Sequence, residues 1–178
     1  MNEKRPEAGR EQLPRTVEEF MACAWAMEVE ATERYAELAE IMESHHNREV
    51  AELFGKLSRI EGKHRDQIAG RMGWQQAPDA AVFRWSTPEG AETTDYGDLH
   101  YLMTPYHALL LARHNERRAA EFFERFAAAD LPAEIRAEAA EMAGEEREHV
   151  RLIEEWLVRF PAPEKGWDED WDPPNVVD

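Results

Sequence analysis

One pattern occurs twice along this chain and leaves few folds open to it. Glu61-Gly62-Lys63-His64 and Glu146-Arg147-Glu148-His149 are both Glu-x-x-His, and each follows another glutamate in a helical stretch, Glu28 before the first and Glu116 before the second. Residues three apart on a helix leave from the same face, one turn apart. Two such pairs and two single glutamates supply four carboxylates and two imidazoles. That is the ligand set of a two-metal carboxylate site at the centre of a four-helix bundle.

The duplication extends beyond the ligands. Glu28 is followed seven residues later by Tyr35, and Glu116 seven later by Phe123; the first Glu-x-x-His begins 33 residues after Glu28 and the second 30 after Glu116. A difference of three fits into the turn between paired helices, so the first two helices repeat as the last two. A single Glu-x-x-His carries little weight in a chain so rich in glutamate. Glu43-Ser44-His45-His46 is a third match, has no counterpart in the repeat, and reads as a solvated helix terminus.

Punctuation along the chain agrees with four helices. Residues 1–16 read as a polar, flexible arm, and Thr16-Val17-Glu18-Glu19 as a capping box opening a first helix over 17–44. Ala24, Ala31, Tyr35, Leu38 and Met42 give it an apolar face. His45-His46-Asn47 is a short turn into an antiparallel second helix over 48–72, ended by Gly73. Residues 73–103 hold Gly, Pro and Thr among scattered aromatics, without sustained period. So long a connection is a crossover or a functional loop. As a crossover it starts the third helix at the end where the first begins, rather than beside the end of the second. Its Trp74, Phe83, Trp85, Tyr96 and Tyr101 either pack on the bundle or roof a pocket for an organic substrate. Thr104-Pro105 opens the third helix, which runs to about residue 129, and Asp130-Leu131-Pro132 turns into a fourth that runs to about Phe160. The fold expected is therefore all-α, an antiparallel four-helix bundle over 17–160 with a long crossover between the second and third helices. Residues 161–178 form an acidic, aromatic, Pro-rich tail that either lies along the bundle through Trp167 and Trp171 or is a docking peptide; the first is favoured, because two tryptophans are costly to leave in water.

Composition bounds the function. A formal net charge of −17 argues against nucleic acid or an anionic membrane surface as partner. No apolar run approaches the ~20 residues of a membrane span, and residues 1–16 lack the apolar segment of a secretory signal. The cytoplasm is the expected location. The one cysteine, Cys23, leaves no disulfide and no four-cysteine iron site, and its apolar neighbours make it a small core residue. Four converging carboxylates would each cost several kcal/mol if buried without compensation. Two metal cations resolve that conflict, and oxygen-rich ligation with one imidazole per metal suits iron or manganese better than zinc.

These residues resemble the ferritin-like superfamily of di-iron carboxylate proteins, especially its rubrerythrin-like and bacterioferritin-like members, over roughly residues 17–160. The resemblance implies that Glu61 and Glu146 bridge two irons, that Glu28 and Glu116 are terminal ligands, and that His64 and His149 take one iron each. Tyr35 matches a tyrosine that hydrogen-bonds a ligand carboxylate beside the site, and is the expected catalytic residue; its repeat partner is Phe123. No rubredoxin module is present, so no iron–sulfur centre is expected. His149 and Ala119 stand where rubrerythrins carry further carboxylates. Gly62 stands where bacterioferritin has its haem-binding methionine, so no haem is expected. The implied function is a non-haem di-iron oxidoreductase that reduces hydrogen peroxide or dioxygen with an external electron donor. Iron storage by ferroxidase chemistry is the alternative, although the Pro-rich tail replaces the fifth helix usual in cage-forming ferritins. A non-catalytic metal-binding or docking bundle is a third reading. A homodimer is the expected assembly.

Overall fold

In the computed structural model of the protein, which describes residues 13–76, 78 and 100–168, four helices account for most of the chain. They are α1 (Val17–Ser44), α2 (Arg48–Met72), α3 (Pro105–Ala128) and α4 (Ala133–Leu157), and the described residues contain no strand. The all-α, ferritin-like four-helix bundle expected from the repeat is the fold observed.

Local chemistry starts and stops each helix. The Thr16 side chain accepts from the Glu19 amide at 3.1 Å, capping α1. Only half of the expected capping box forms, because the Glu19 carboxylate accepts from the Arg15 amide at 2.6 Å. Asn47 caps α2 through Val50, and Gly73 ends it in the left-handed region at φ 69°, where a side chain would be strained. Pro105 opens α3, and the Thr104 amide donates to His107 Nδ1 at 3.2 Å. The fourth helix stops three residues before the expected Phe160. Phe160 precedes Pro161 and is pushed out of helical geometry, so the chain tightens into bonds from Arg159 to Trp156 and from Phe160 to Leu157.

Two hairpins, α1 with α2 and α3 with α4, make the bundle. Its apolar interior falls into two clusters. One gathers Phe20, Cys23 and Met27 of α1, Ile68 of α2, Phe123 of α3, and Ile135, Ala139 and Met142 of α4. The other gathers Leu38 and Met42, Val50 and Phe54, Ala108 and Leu109, Ile153 and Trp156. The start of α3 therefore lies at the end of the bundle where α1 finishes and α2 begins. That corrects the expectation that it begins where α1 begins. Because α2 is antiparallel to α1, its C-terminus is already beside the start of α1, and a connection traversing the bundle arrives at the opposite end. Trp74 packs on the first cluster while Tyr101 stacks on His100 near the second, so the connection's two described ends sit at opposite ends of the bundle.

Phe83, Trp85 and Tyr96, like Trp171 and residues 1–12, lie outside the described residues. Trp167 does return to the bundle, its ring 3.7 Å from that of His107. Cys23 is a core residue at 3 % exposure, and burial pushes its thiol up to about 12. His45 and His46 of the third Glu-x-x-His are exposed at the α1 terminus, as expected of a solvated end. No described helix is long and apolar enough to cross a membrane.

Candidate metal centre

Between the two apolar clusters lies a layer of acid. Glu28 of α1, Glu61 of α2, Glu116 of α3 and Glu146 of α4 are exposed by 1, 2, 4 and 1 %. Each belongs to a helical stripe of otherwise small or apolar side chains, Met27 and Ala31 around Glu28, Ala112 and Ala119 around Glu116. The helical period that buries those neighbours carries the carboxylate in with them. His64 and His149, one turn beyond Glu61 and Glu146, lie nearer the surface, with side chains 19 and 12 % exposed. Their rings stack at 4.4 Å with 7° between planes.

His149 is the hub. Its Nδ1–H donates to Glu116 Oε2 at 3.1 Å, and the same nitrogen lies 3.2 Å from Glu146 Oε2 and 4.0 Å from Glu61 Oε1. His64 Nδ1 is buried, makes no hydrogen bond, and has Glu61 Oε2 at 3.7 Å. The Tyr35 hydroxyl donates to Glu116 Oε1 at 2.9 Å, fully buried, with its ring stacked on Phe54. Among the described residues two groups of potential ligand atoms converge within 4.8 Å: Glu61, His64 and His149, and Glu116, Glu146 and His149. Five of the six expected ligands are thus brought together. Glu28 is buried on the same layer but joins neither group.

The electrostatics show what the layer lacks. Burial, partly offset by the hydrogen bond with His149, pushes the Glu146 carboxyl up to about 8, with like charge from Glu116 and Glu61 adding to the rise. Burial opposes a charge on His149, but its bonds to Glu116 and Glu146 outweigh it and hold the imidazole up at about 11. One imidazolium is a poor match for four buried carboxylates. Divalent cations fit the donor set: carboxylate oxygens dominate, each imidazole can offer one nitrogen, and the buried His64 Nδ1 is available.

Sequence reasoning did not single out Asn115, a polar side chain 3 % exposed directly before Glu116. Its spacing from Ala112 and Ala119 places it on the inner stripe of α3, a signal that was there to be read. Nor did it single out His107 as the partner of the α3 N-cap.

The sequence profile of the rubrerythrin family matches residues 19–88, a stretch that includes Glu28, Tyr35, Glu61 and His64. An uncharacterized conserved protein of Magnetospirillum magnetotacticum MS-1 is similar at 41% identity, the likeness covering 84% of this chain and 98% of that one, and its crystal structure superposes with a TM-score of 0.61. No curated protein matches the chain.

Proposed function

We propose a function from one premise: the chain belongs to the rubrerythrin family. It is a ferritin-like bundle with a Glu/His cluster suited to metal, and our reading of it is a non-haem di-iron oxidoreductase that reduces hydrogen peroxide or dioxygen. The observation that carries this reading is the acid layer itself, four buried carboxylates in one layer with two stacked imidazoles, three of the carboxylates meeting at His149. Glu28, Glu61, Glu116, Glu146, His64 and His149 would hold the two ions, Glu61 and Glu146 between them. Two ferrous ions bound there supply the two electrons that reduce the oxidant, and an external donor restores them.

The protein's own groups have defined tasks in this scheme. Carboxylates favour the higher charge state of iron, so the acid layer lowers the cost of losing electrons. Tyr35 fixes the orientation of Glu116 through its hydroxyl. The apolar clusters on either side exclude water from the layer. Ions and small oxidants reach it past the His64/His149 stack, the part of the site that touches solvent. Manganese would use the same ligands, and nothing in the donor set calls for haem or an iron–sulfur cluster. A cytoplasmic homodimer is the form in which we place it.

Metal analysis of protein purified without oxygen, followed by optical spectra on adding peroxide and then oxygen, tests the proposal. About two irons per chain and rapid oxidation by either oxidant support it, the faster one identifying the physiological partner. Two irons oxidised with accumulation of a mineral core in a large hollow assembly would favour ferroxidase storage. Metal bound without redox turnover would leave a structural bundle.

A further inference from the structure

Beside the acid layer, two hydroxyl groups tie α1 to α2. Ser58, one turn before Glu61 on α2, donates its hydroxyl to the Thr32 carbonyl at 2.9 Å. Thr32 lies one turn after Glu28 on α1, and its own hydroxyl donates back to the Glu28 carbonyl at 2.6 Å. The bonds therefore run from the helix that carries Glu61, through Thr32, to the backbone of Glu28 itself. On the next turn of α2 a β-carbon at Gly62 would meet the Thr32 methyl group at 3.7 Å, an ordinary contact, so Thr32 is seated between Ser58 and Gly62.

Hairpin packing does not require hydroxyls at this level. The repeat that pairs Glu28 with Glu116 and Glu61 with Glu146 also pairs Thr32 with Ala120 and Ser58 with Ala143. Both alanines are buried, and α3 and α4 form their hairpin with no hydroxyl at either place. Nor does the Thr32 carbonyl need Ser58 for a partner, since a carbonyl inside an α-helix already accepts from the amide four residues on. The Ser58 bond is an addition to both helix and packing, placed one turn from two expected ligands. What it adds is register. Apolar contacts are non-directional, whereas a hydroxyl–carbonyl bond fixes its two oxygens at about 2.5–3.0 Å. Metal–ligand distances must be met to within about 0.2 Å, so a centre that draws ligands from both helices is sensitive to a slide of one along the other.

Resting on the two-metal reading above, we propose that Ser58 and Thr32 are positioning residues for the metal centre, which act through the backbone to hold Glu28 in register with Glu61. Neither side chain touches an ion. Without the brace the six ligands are all present, but α1 is free to shift along α2 and the centre closes on metal at a cost in affinity.

Titration of the metal-free chain with Co(II), read by calorimetry and by the visible spectrum at saturation, tests this without relying on turnover. Ser58→Ala should weaken Co(II) binding by about 10- to 100-fold, the usual effect of removing a group that orients a ligand, and should shift the visible bands of the saturated protein. Thr32→Val keeps the shape and the carbonyl, removes the hydroxyl, and should also weaken binding and shift the bands. Ser58→Thr retains a hydroxyl and should bind and absorb like the wild type. Asn47→Ala is the control for stability alone, because it removes the cap of α2 about four turns from Glu61. It should lower the melting temperature and leave Co(II) affinity and spectrum unchanged; circular dichroism establishes that each variant folds. A Ser58→Ala variant with wild-type affinity and spectrum would overturn the proposal while leaving the two-metal reading intact. So would a Ser58→Thr variant that behaves like the alanine one, or an Asn47→Ala variant that weakens Co(II) binding as much as Ser58→Ala does. No Co(II) bound by the folded wild-type chain would overturn the two-metal reading, and this proposal with it.

Discussion

Asn47 joins the two hairpins, and removing it should be costly. Its side chain does two things at once. Oδ1 accepts from the Val50 amide at 3.4 Å, capping α2, while Nδ2 donates to the Met103 carbonyl at 2.6 Å across to the segment that leads into α3. Met103 is 3 % exposed, so Asn47→Ala leaves its carbonyl buried and unpaired, at a cost of about 1–3 kcal/mol. The lost cap adds about 1 kcal/mol, which brings the total to about 2–4 kcal/mol. At roughly 2–4 °C per kcal/mol for a chain of this length, melting should fall by about 4–16 °C. Thermal unfolding of the metal-free protein by far-ultraviolet circular dichroism reads this directly. Asn47→Asp sharpens the test, because aspartate keeps the cap and adds favourable charge at a helix N-terminus but cannot donate to Met103. It should lose about 1–3 kcal/mol with the donated bond while keeping the cap, and so melt between the alanine variant and the wild type. An aspartate variant that melts with the wild type, or an alanine variant that loses less than about 0.5 kcal/mol, would refute the claim that the donated bond ties the hairpins together.

Replacing Glu61 or Glu146 by alanine should prevent two irons from binding; elemental analysis that still finds two per chain would remove the bridging assignment. Protons and metal compete for the same atoms, since His149 is held up at about 11 and Glu146 at about 8. Metal uptake should therefore release protons and tighten as pH rises from 5 to 8, and a titration in weak buffer that shows no proton release would count against this. The thiol of Cys23, raised to about 12 by burial, should resist a disulfide reagent at pH 8 in the folded protein and react at once in urea. Its linkage has a definite sign: an unfolded thiol ionises near 9.0, so its contribution to stability is complete below that pH and is lost as pH climbs towards 12. Rapid native labelling would show that the core opens far more readily than its packing implies.

Helix positions were legible in the sequence because their causes are local. Thr16, Asn47, Gly73 and Thr104-Pro105 act within one turn of the boundary they set, and α1 and α2 fall on the expected residues. Glu19 shows the limit of such rules, since a neighbouring amide at Arg15 competes for its carboxylate. Helix α4 ends at Leu157, short of the expected end at about Phe160, because Pro161 acts backwards through Phe160. Burial of the acid layer was legible too, because the stripe that places Ala112 and Ala119 inside places Glu116 there with them.

The sequence by itself determined four helices, their inner faces and a duplicated Glu/His set, because periodicity and caps act over a turn or less. Only the tertiary structure decided how the two hairpins are rotated and slid against each other. That docking puts the start of α3 at the far end of the bundle from the end of α2. It brings the Tyr35 hydroxyl to a glutamate 81 residues away, and it makes His149 the meeting point of three carboxylates. Side-chain packing between helices fixes those relations to fractions of an ångström, and no helical period records which residue of one hairpin will face which residue of the other.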